Sequence, residues 1–101
     1  MVFFGEPMRV KIRGKFWTLV YRPQSKMPSD ENGPLLGLCE SPDSKRKKIL
    51  INSSLRDETE LRILLHESAH AGLWHLDESV VDELSTDLAR MLWNLGYRKV
   101  K

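Results

Sequence analysis

The chain has 101 residues and a mass of 11.7 kDa, which is enough for one compact domain and excludes a cofactor domain joined to a separate substrate domain. Hydrophobic residues make up 41% and charged residues 30% of the sequence, a balance typical of soluble globular proteins. The formal net charge of +2 conceals an asymmetry, because residues 1–56 carry 11 Lys and Arg against 5 Asp and Glu, whereas residues 57–101 carry 5 against 9. We therefore expect a single domain over residues 1–101, with a basic first half and an acidic second half.

The sequence carries no signal for a membrane or for secretion. Its longest apolar run, Met1 to Phe4, is far shorter than the roughly 20 residues of a membrane-spanning helix. That start also lacks the basic residues and the long apolar core of a secretory signal. Cys39 is the only cysteine, so an internal disulfide cannot form. Together these features predict a cytoplasmic protein that does not contact membranes.

The first half of the chain has the patterns of β-strands. Val10 and Ile12 alternate with basic residues, Gly14 permits a tight turn, and residues 16–21 are rich in β-branched and aromatic side chains, which predicts a hairpin. Residues 23–34 are rich in Pro, Ser, Asp, Asn and Gly and predict a loop that contributes to specificity. Two further short strands are predicted at residues 35–40 and 48–52.

Helical spacing replaces the strand pattern after Asn52. The apolar residues of the first predicted helix, which extends to about Trp74, are Leu61, Leu64, Leu65 and Ala69, and its candidate N-caps are Ser53, Ser54 and Asp57. The second predicted helix begins after Asp77 and stops at Gly96, and its apolar stripe consists of Val81, Leu84, Leu88, Leu92 and Leu95, with Val80 and Met91 beside it. Residues 1–52 are thus mainly β and residues 53–96 form a helical pair. This order predicts an α+β fold in which a small antiparallel sheet of three to four strands packs on two helices.

The first predicted helix contains the sequence His-Glu-x-x-His at residues 66–70. Residues four apart lie one turn apart on the same helical face, so both imidazoles can reach one Zn²⁺ ion. Glu67 lies beside that face and is placed to act as general base for a zinc-activated water. The motif therefore predicts two zinc ligands, His66 and His70, and a catalytic glutamate.

A catalytic zinc site needs a third protein ligand, which the motif does not supply. His75 follows His70 by five residues, an offset that does not match the metalloprotease pattern with a third histidine six residues on, although it stays an option. An acidic residue of the second helix is the better candidate. The helical angle favours Glu78, and the level along the helix favours Asp82. We predict Glu78, with Asp82 as the alternative.

The region from about Ile49 to Arg98 resembles the zincin-type metallopeptidases, in particular very small gluzincin-like members from bacterial and phage genomes. It is also similar in outline to ImmA/IrrE-like and SprT-like proteases. The resemblance implies a minimal zincin-like fold, zinc bound by the two motif histidines and by a glutamate of the following helix, and Glu67 as the catalytic base. It further implies that the strand at residues 48–52 lines the cleft and pairs with an extended substrate.

The sequence thus predicts a zinc-dependent peptidase that acts on a protein or peptide. Two alternatives stay open: a zinc-binding regulatory or interaction domain without activity, and a zinc enzyme for a non-peptide amide. Nucleic-acid binding is a less favoured interpretation of the basic half, because Phe16 and Trp17 are the only aromatic residues interleaved with its charges. The basic run at residues 45–48 is interpreted as a solvated strand edge. Trp74 and Trp93 are expected between the helices, Cys39 in a buried strand, and Tyr21 and Tyr97 in packing or surface roles rather than at an oxyanion.

Overall fold

The computed structural model describes residues 6–100, so the apolar run at Met1–Phe4 lies outside the described residues. In this range six strands precede two α-helices, and a short 3-10 helix, Gln24–Lys26, follows the second strand. The strands are β1 (Met8–Ile12), β2 (Lys15–Arg22), β3 (Ser29–Asp30), β4 (Gly33–Pro34), β5 (Gly37–Cys39) and β6 (Lys48–Asn52). The helices are α1 (Asp57–Gly72) and α2 (Glu78–Asn94). The predicted α+β class is confirmed.

Four strands form one sheet in the order β1-β2-β6-β5. The predicted hairpin is present as the antiparallel pair β1–β2, and β5 pairs antiparallel with β6. However, β2 and β6 run parallel, so the sheet is mixed rather than wholly antiparallel as expected. The segment between β2 and β5 reverses direction before the chain returns, which allows β6 to enter beside β2 in the same direction. Within this segment β3 and β4 form a small separate hairpin where a loop was predicted.

The helices lie in two successive layers on one face of the sheet. Helix α1 packs on β5 and β6, and α2 packs on α1. The main core lies between the sheet and α1, and its buried members are Trp17, Cys39, Ile49, Ile51, Ile63 and Ala71. A smaller cluster of Val20, Met27 and Leu50 lies on the other face of the sheet. Helix α1 is therefore held on both sides, which fixes the motif that it carries.

The face of α2 that meets α1 differs from the predicted apolar stripe. Val81, Ser85 and Ala89 are the buried residues of this helix, whereas Leu84 and Leu95 are 45% and 68% exposed. The small side chains of Ser85 and Ala89 allow α2 to approach α1 closely. Val81 of the predicted stripe is buried and Leu88 and Leu92 are half-buried, so the interface overlaps that stripe but is shifted toward the small residues.

The helix ends match the sequence signals in part. Asp77 occupies the N-cap position of α2, and Gly96 has a φ of 96° with its N–H donating to the carbonyl of Trp93, as expected of a helix stop. At α1 the N-cap position is Arg56, and none of the three predicted residues provides a side-chain cap. Among residues 6–100, no helix is long and apolar enough to cross a membrane.

Candidate metal centre

The motif lies in the second half of α1. This helix contains no helix-breaking residue between Asp57 and Ala71. Its two histidines are one turn apart, and their Nε2 atoms are 3.1 Å from each other. Their rings meet edge to face, with centroids 4.7 Å apart. Both imidazoles therefore present the same nitrogen toward one point between α1 and the start of α2, as the four-residue spacing predicts.

Glu78, the first residue of α2, completes this cluster. Its Oε1 lies 2.8 Å from Nε2 of His66, and its Oε2 lies 2.8 Å from Nε2 of His70. The short connection after α1 returns the chain so that the first turn of α2 stands over the motif. The structure thus brings together the three residues that the sequence analysis selected as ligands, and these side chains could hold a metal ion.

The donor set and its spacing fit a zinc ion. Each of the three residues offers one ligand atom, and these atoms lie within 4.8 Å of one another. In a tetrahedral site with bonds of about 2.0–2.2 Å, ligand atoms are about 3.3–3.6 Å apart. The present separations of 2.8 and 3.1 Å would need to widen by about half an ångström, a small side-chain movement. The Glu78 side chain is 70% exposed, so the ion would also be open to solvent and substrate.

Glu67 lies next to the cluster but in a different environment. It is 9% exposed, and burial raises its pKa from 4.5 to about 7, an effect opposed by the charge of His66 and reinforced by that of Glu78. A carboxyl group with a pKa near neutrality is suited to general base and acid chemistry. The sequence placed this residue beside the ligand face, and the structure agrees.

Gly37 of β5 packs directly against Glu67. A β-carbon at this glycine would lie 2.9 Å from Cγ and 3.1 Å from Oε2 of Glu67, and 2.7 Å from Cγ2 of Ile63. The absence of a side chain therefore lets the strand approach α1 and cover the glutamate. This contact was not predicted, and its only signal in the sequence is a glycine inside a predicted strand.

Ser85 of α2 contacts the far side of the His66 ring. Its hydroxyl is 3.5 Å from Nδ1 of His66 and donates to the carbonyl oxygen of Asp82 at 3.1 Å. Because the hydroxyl hydrogen is used there, the oxygen can accept a proton from Nδ1 of His66, and in that tautomer the ring offers the lone pair of Nε2 to a metal. Ser85 is 2% exposed, and a buried serine in an otherwise apolar helix face is the signal that could have predicted its role.

Asp82, the alternative third ligand, occupies the outer side of the same histidine. Its Oδ1 lies 3.6 Å from Nδ1 of His66 and 3.8 Å from the guanidinium of Arg62. The structure therefore brings Asp82 near the nitrogen that faces away from the cluster. This position suits a residue that orients the ring rather than one that binds the ion.

The remaining candidates lie outside the cluster. His75 is exposed in the connection between the helices, and Tyr97 is 63% exposed beyond the end of α2. Burial and the nearby charge of Glu60 raise the pKa of Tyr21, which packs against the main core rather than at the motif. Trp74 was expected between the helices, but it is 39% exposed and meets the ring of His70 edge to face at 6.3 Å.

Trp74 also lines an open cleft of about 590 Å³ between the end of α1 and the β1–β2 turn. Its wall includes Arg13, whose guanidinium donates to the carbonyl of Gly72 at 3.0 Å. His66, His70 and Glu78 are not among the residues that line this cleft, and Trp74 connects it to the ring of His70.

Comparison with protein-family models, with curated proteins and with solved structures finds no match to this chain. Any assignment of function therefore rests on the residues of the site.

Proposed function

We propose that the protein is a zinc-dependent peptidase of the zincin type. The observation that carries the proposal is the cluster of His66, His70 and Glu78 ligand atoms beside the buried carboxyl group of Glu67. Two imidazoles and one carboxylate are a ligand set of catalytic zinc sites, which keep one position open for water. Cys39 is a buried free thiol, which suits a reducing compartment, and we propose that the protein acts in the cytoplasm.

Each residue has a distinct role in this proposal. His66, His70 and Glu78 hold the zinc ion, which when bound supplies Lewis-acid activation of the scissile carbonyl and of the attacking water. Glu67 accepts a proton from that water and passes it to the leaving amine nitrogen. Burial under β5 keeps the carboxyl group in one position and gives it a pKa close to that of a proton shuttle at neutral pH.

The free edge of β5 is the proposed docking edge for an extended peptide. The resemblance to zincin-type metallopeptidases implied that β6 pairs with the substrate, but β6 lies between β2 and β5, so its backbone groups are already used by these neighbours. Strand β5 is at the edge of the sheet and covers Glu67 through Gly37. A peptide added to β5 would therefore run past the base and the metal cluster.

The decisive experiment compares Glu67→Gln with the unchanged protein. Glutamine keeps the size and the hydrogen-bonding capacity of the side chain but cannot accept the proton, so we expect one bound zinc per chain and a loss of peptide hydrolysis by at least about 100-fold. Zinc content is measured by atomic emission spectroscopy, and hydrolysis is measured with intact casein and with a library of quenched fluorescent peptides. Hydrolysis that persists in the variant, or after removal of zinc by a chelator, would refute the mechanism.

A second candidate is a zinc-stabilised domain without activity. Its support is that the ligands come from both helices, while α2 packs on α1 rather than on the sheet. Zinc would then mainly hold α2 in place. The same experiment separates the two functions, because this candidate predicts one zinc per chain and no turnover in either protein.

A further inference from the structure

The face of the sheet that points away from α1 is only partly covered. In β6, Ile49 and Ile51 pack toward α1, so Lys48 and Leu50 point to the opposite side. Leu50 is buried there by Met27 from the segment after β2. Within residues 6–100, no comparable side chain covers the part of this face nearer to β1, and Phe16 stands on it 50% exposed.

Strand register gathers basic side chains on this open part. Arg9 pairs with Thr18, which pairs in turn with Lys48, so a row across three strands has a basic residue at each end. With strands about 4.8 Å apart, the α-carbons at the ends of this row are about 10 Å apart. Lys11 stands opposite Phe16 in the neighbouring row.

A cavity of about 500 Å³ continues this basic surface toward the end of β2. Its lining residues are Pro7, Thr18, Val20, Tyr21, Arg22, Pro23, Lys26 and Lys48. No described acidic residue lines it. We define the basic sheet face as Arg9, Lys11, Arg22, Lys26 and Lys48 together with Phe16.

In the described part of the chain, the basic sheet face has no acidic partners at ion-pair distance. None of its five basic residues forms an ion pair with a described residue, whereas Arg62, Arg90 and Lys99 of the helical half each do. Like charges held on one surface repel one another, and the phosphates of a bound polyanion would offset this repulsion. The counterions that the polyanion releases on binding would favour the complex further.

Phe16 distinguishes this surface from a purely electrostatic one. The guanidinium carbon of Arg9 lies 3.9 Å from the centroid of its ring, and Nζ of Lys11 lies 5.6 Å from it. A half-exposed aromatic ring with a stacked guanidinium offers flat surfaces on which an unpaired base can stack. β-Sheets that bind single-stranded nucleic acid combine such aromatic residues with nearby positive charges.

We propose that the basic sheet face binds single-stranded nucleic acid. Lys48, Lys26 and Arg22 contact phosphates along the cavity, and a base stacks on the Phe16–Arg9 pair. The proposal does not depend on the zinc peptidase, because this face and the metal cluster lie on opposite sides of the sheet. It revises the sequence interpretation, in which the basic half was a solvated surface.

Fluorescence anisotropy of the full chain with a labelled 20-nucleotide oligo(dT) tests the proposal. The chain should bind with a micromolar Kd in low salt, and added salt should weaken binding. Lys48→Gln should reduce the magnitude of the slope of log affinity against log salt by about 0.7, the value for one phosphate contact to a single strand. Phe16→Ala should weaken binding about 5-fold or more at every salt concentration. Arg90→Gln removes one charge from α2, far from this face, and is the matched control.

Three results would overturn the proposal: no binding to the oligonucleotide, equal losses in Lys48→Gln and Arg90→Gln, or no effect of Phe16→Ala. If Phe16→Ala has no effect, the face binds polyanions in general. Vesicles with 30% phosphatidylserine would then bind at least as well as the oligonucleotide. Glu67→Gln should bind the oligonucleotide like the unchanged protein. This readout separates failure here from failure of the proposed peptidase, since each can be observed without the other.

Discussion

Replacement of Ser85 by alanine tests how the metal centre is organised. The serine hydroxyl oxygen lies 3.5 Å from Nδ1 of His66, within reach to accept a proton from that nitrogen, and its removal would leave an Nδ1–H there without this buried acceptor. The His66 side chain is only 11% exposed, so water replaces the lost partner poorly. We expect the ring to lose its fixed orientation, so that Nε2 is no longer held ready for the ion.

The expected loss of zinc affinity follows from this geometry. Partners that orient a metal-bound histidine contribute about 10- to 100-fold in affinity. The 3.5 Å contact is long, and Asp82 at 3.6 Å offers a substitute acceptor, so the lower end applies. We therefore expect Ser85→Ala to raise the Kd for zinc about 10-fold, equivalent to about 1.4 kcal/mol.

Competition with a fluorescent zinc chelator measures this Kd, and ¹⁵N chemical shifts of the His66 ring report which nitrogen carries the proton. Ser79→Ala is the control, because it makes the same change at an exposed position of α2. Urea unfolding of the zinc-free proteins shows whether α2 stays packed. An unchanged Kd in Ser85→Ala relative to Ser79→Ala, with an unchanged tautomer, would refute the reasoning.

Three further predictions follow from the groups around the motif. Gly37→Ala should lower the free energy of unfolding by about 1–3 kcal/mol in urea titrations, because its β-carbon would lie 2.7 Å from Ile63; an unchanged midpoint would contradict the close packing. In the folded zinc-free protein the pKa of Glu67 is about 7, whereas in the unfolded chain it is about 4.5. The stability that protonated Glu67 contributes is therefore fully present below pH 4.5, and roughly 3 kcal/mol of it is lost as the pH rises to 7. Glu67→Gln should lack this decline, and parallel pH profiles of the two proteins would argue against it. Burial, with the charges of Glu67 and Glu40, raises the pKa of Cys39 to about 12. We therefore expect the thiol to react with Ellman's reagent far more slowly in the native protein than in guanidinium. Immediate reaction of the native protein would contradict the burial of this thiol.

Features encoded in consecutive residues were predictable from the sequence. The β1–β2 hairpin follows from alternation and a glycine turn, and β6 occupies residues 48–52 as predicted. The two histidines of the motif share a helical face because their spacing fixes it. Glu78 was preferred to Asp82 on its helical angle and on the longer reach of a glutamate side chain, and its carboxylate oxygens lie 2.8 Å from Nε2 of both histidines.

Features that depend on which elements meet were not predictable in this way. The parallel pairing of β2 with β6 joins segments separated by the whole β3–β5 region, and no local pattern distinguishes it from an antiparallel pairing. The true contact face of α2 is defined by small residues, Ser85 and Ala89, which carry little weight in a hydrophobic pattern. Gly37 is important because of the Glu67 side chain opposite, which its own sequence context does not contain.

The arrangement of the sheet allows both proposed ligands to be bound at once. A peptide would add to the outer edge of β5, beside Glu67, whereas β1 lies at the opposite edge and carries Arg9 and Lys11. Two strands, β2 and β6, separate these edges, so the α-carbons of β5 and β1 are about 14 Å apart. A nucleic acid on the basic sheet face would therefore leave the peptide edge accessible. If the peptidase substrate is itself bound to the same nucleic-acid molecule, the basic sheet face would bring that substrate close to the protein. The substrate concentration near the metal centre would then rise without a direct contact between the nucleic acid and the cleavage site.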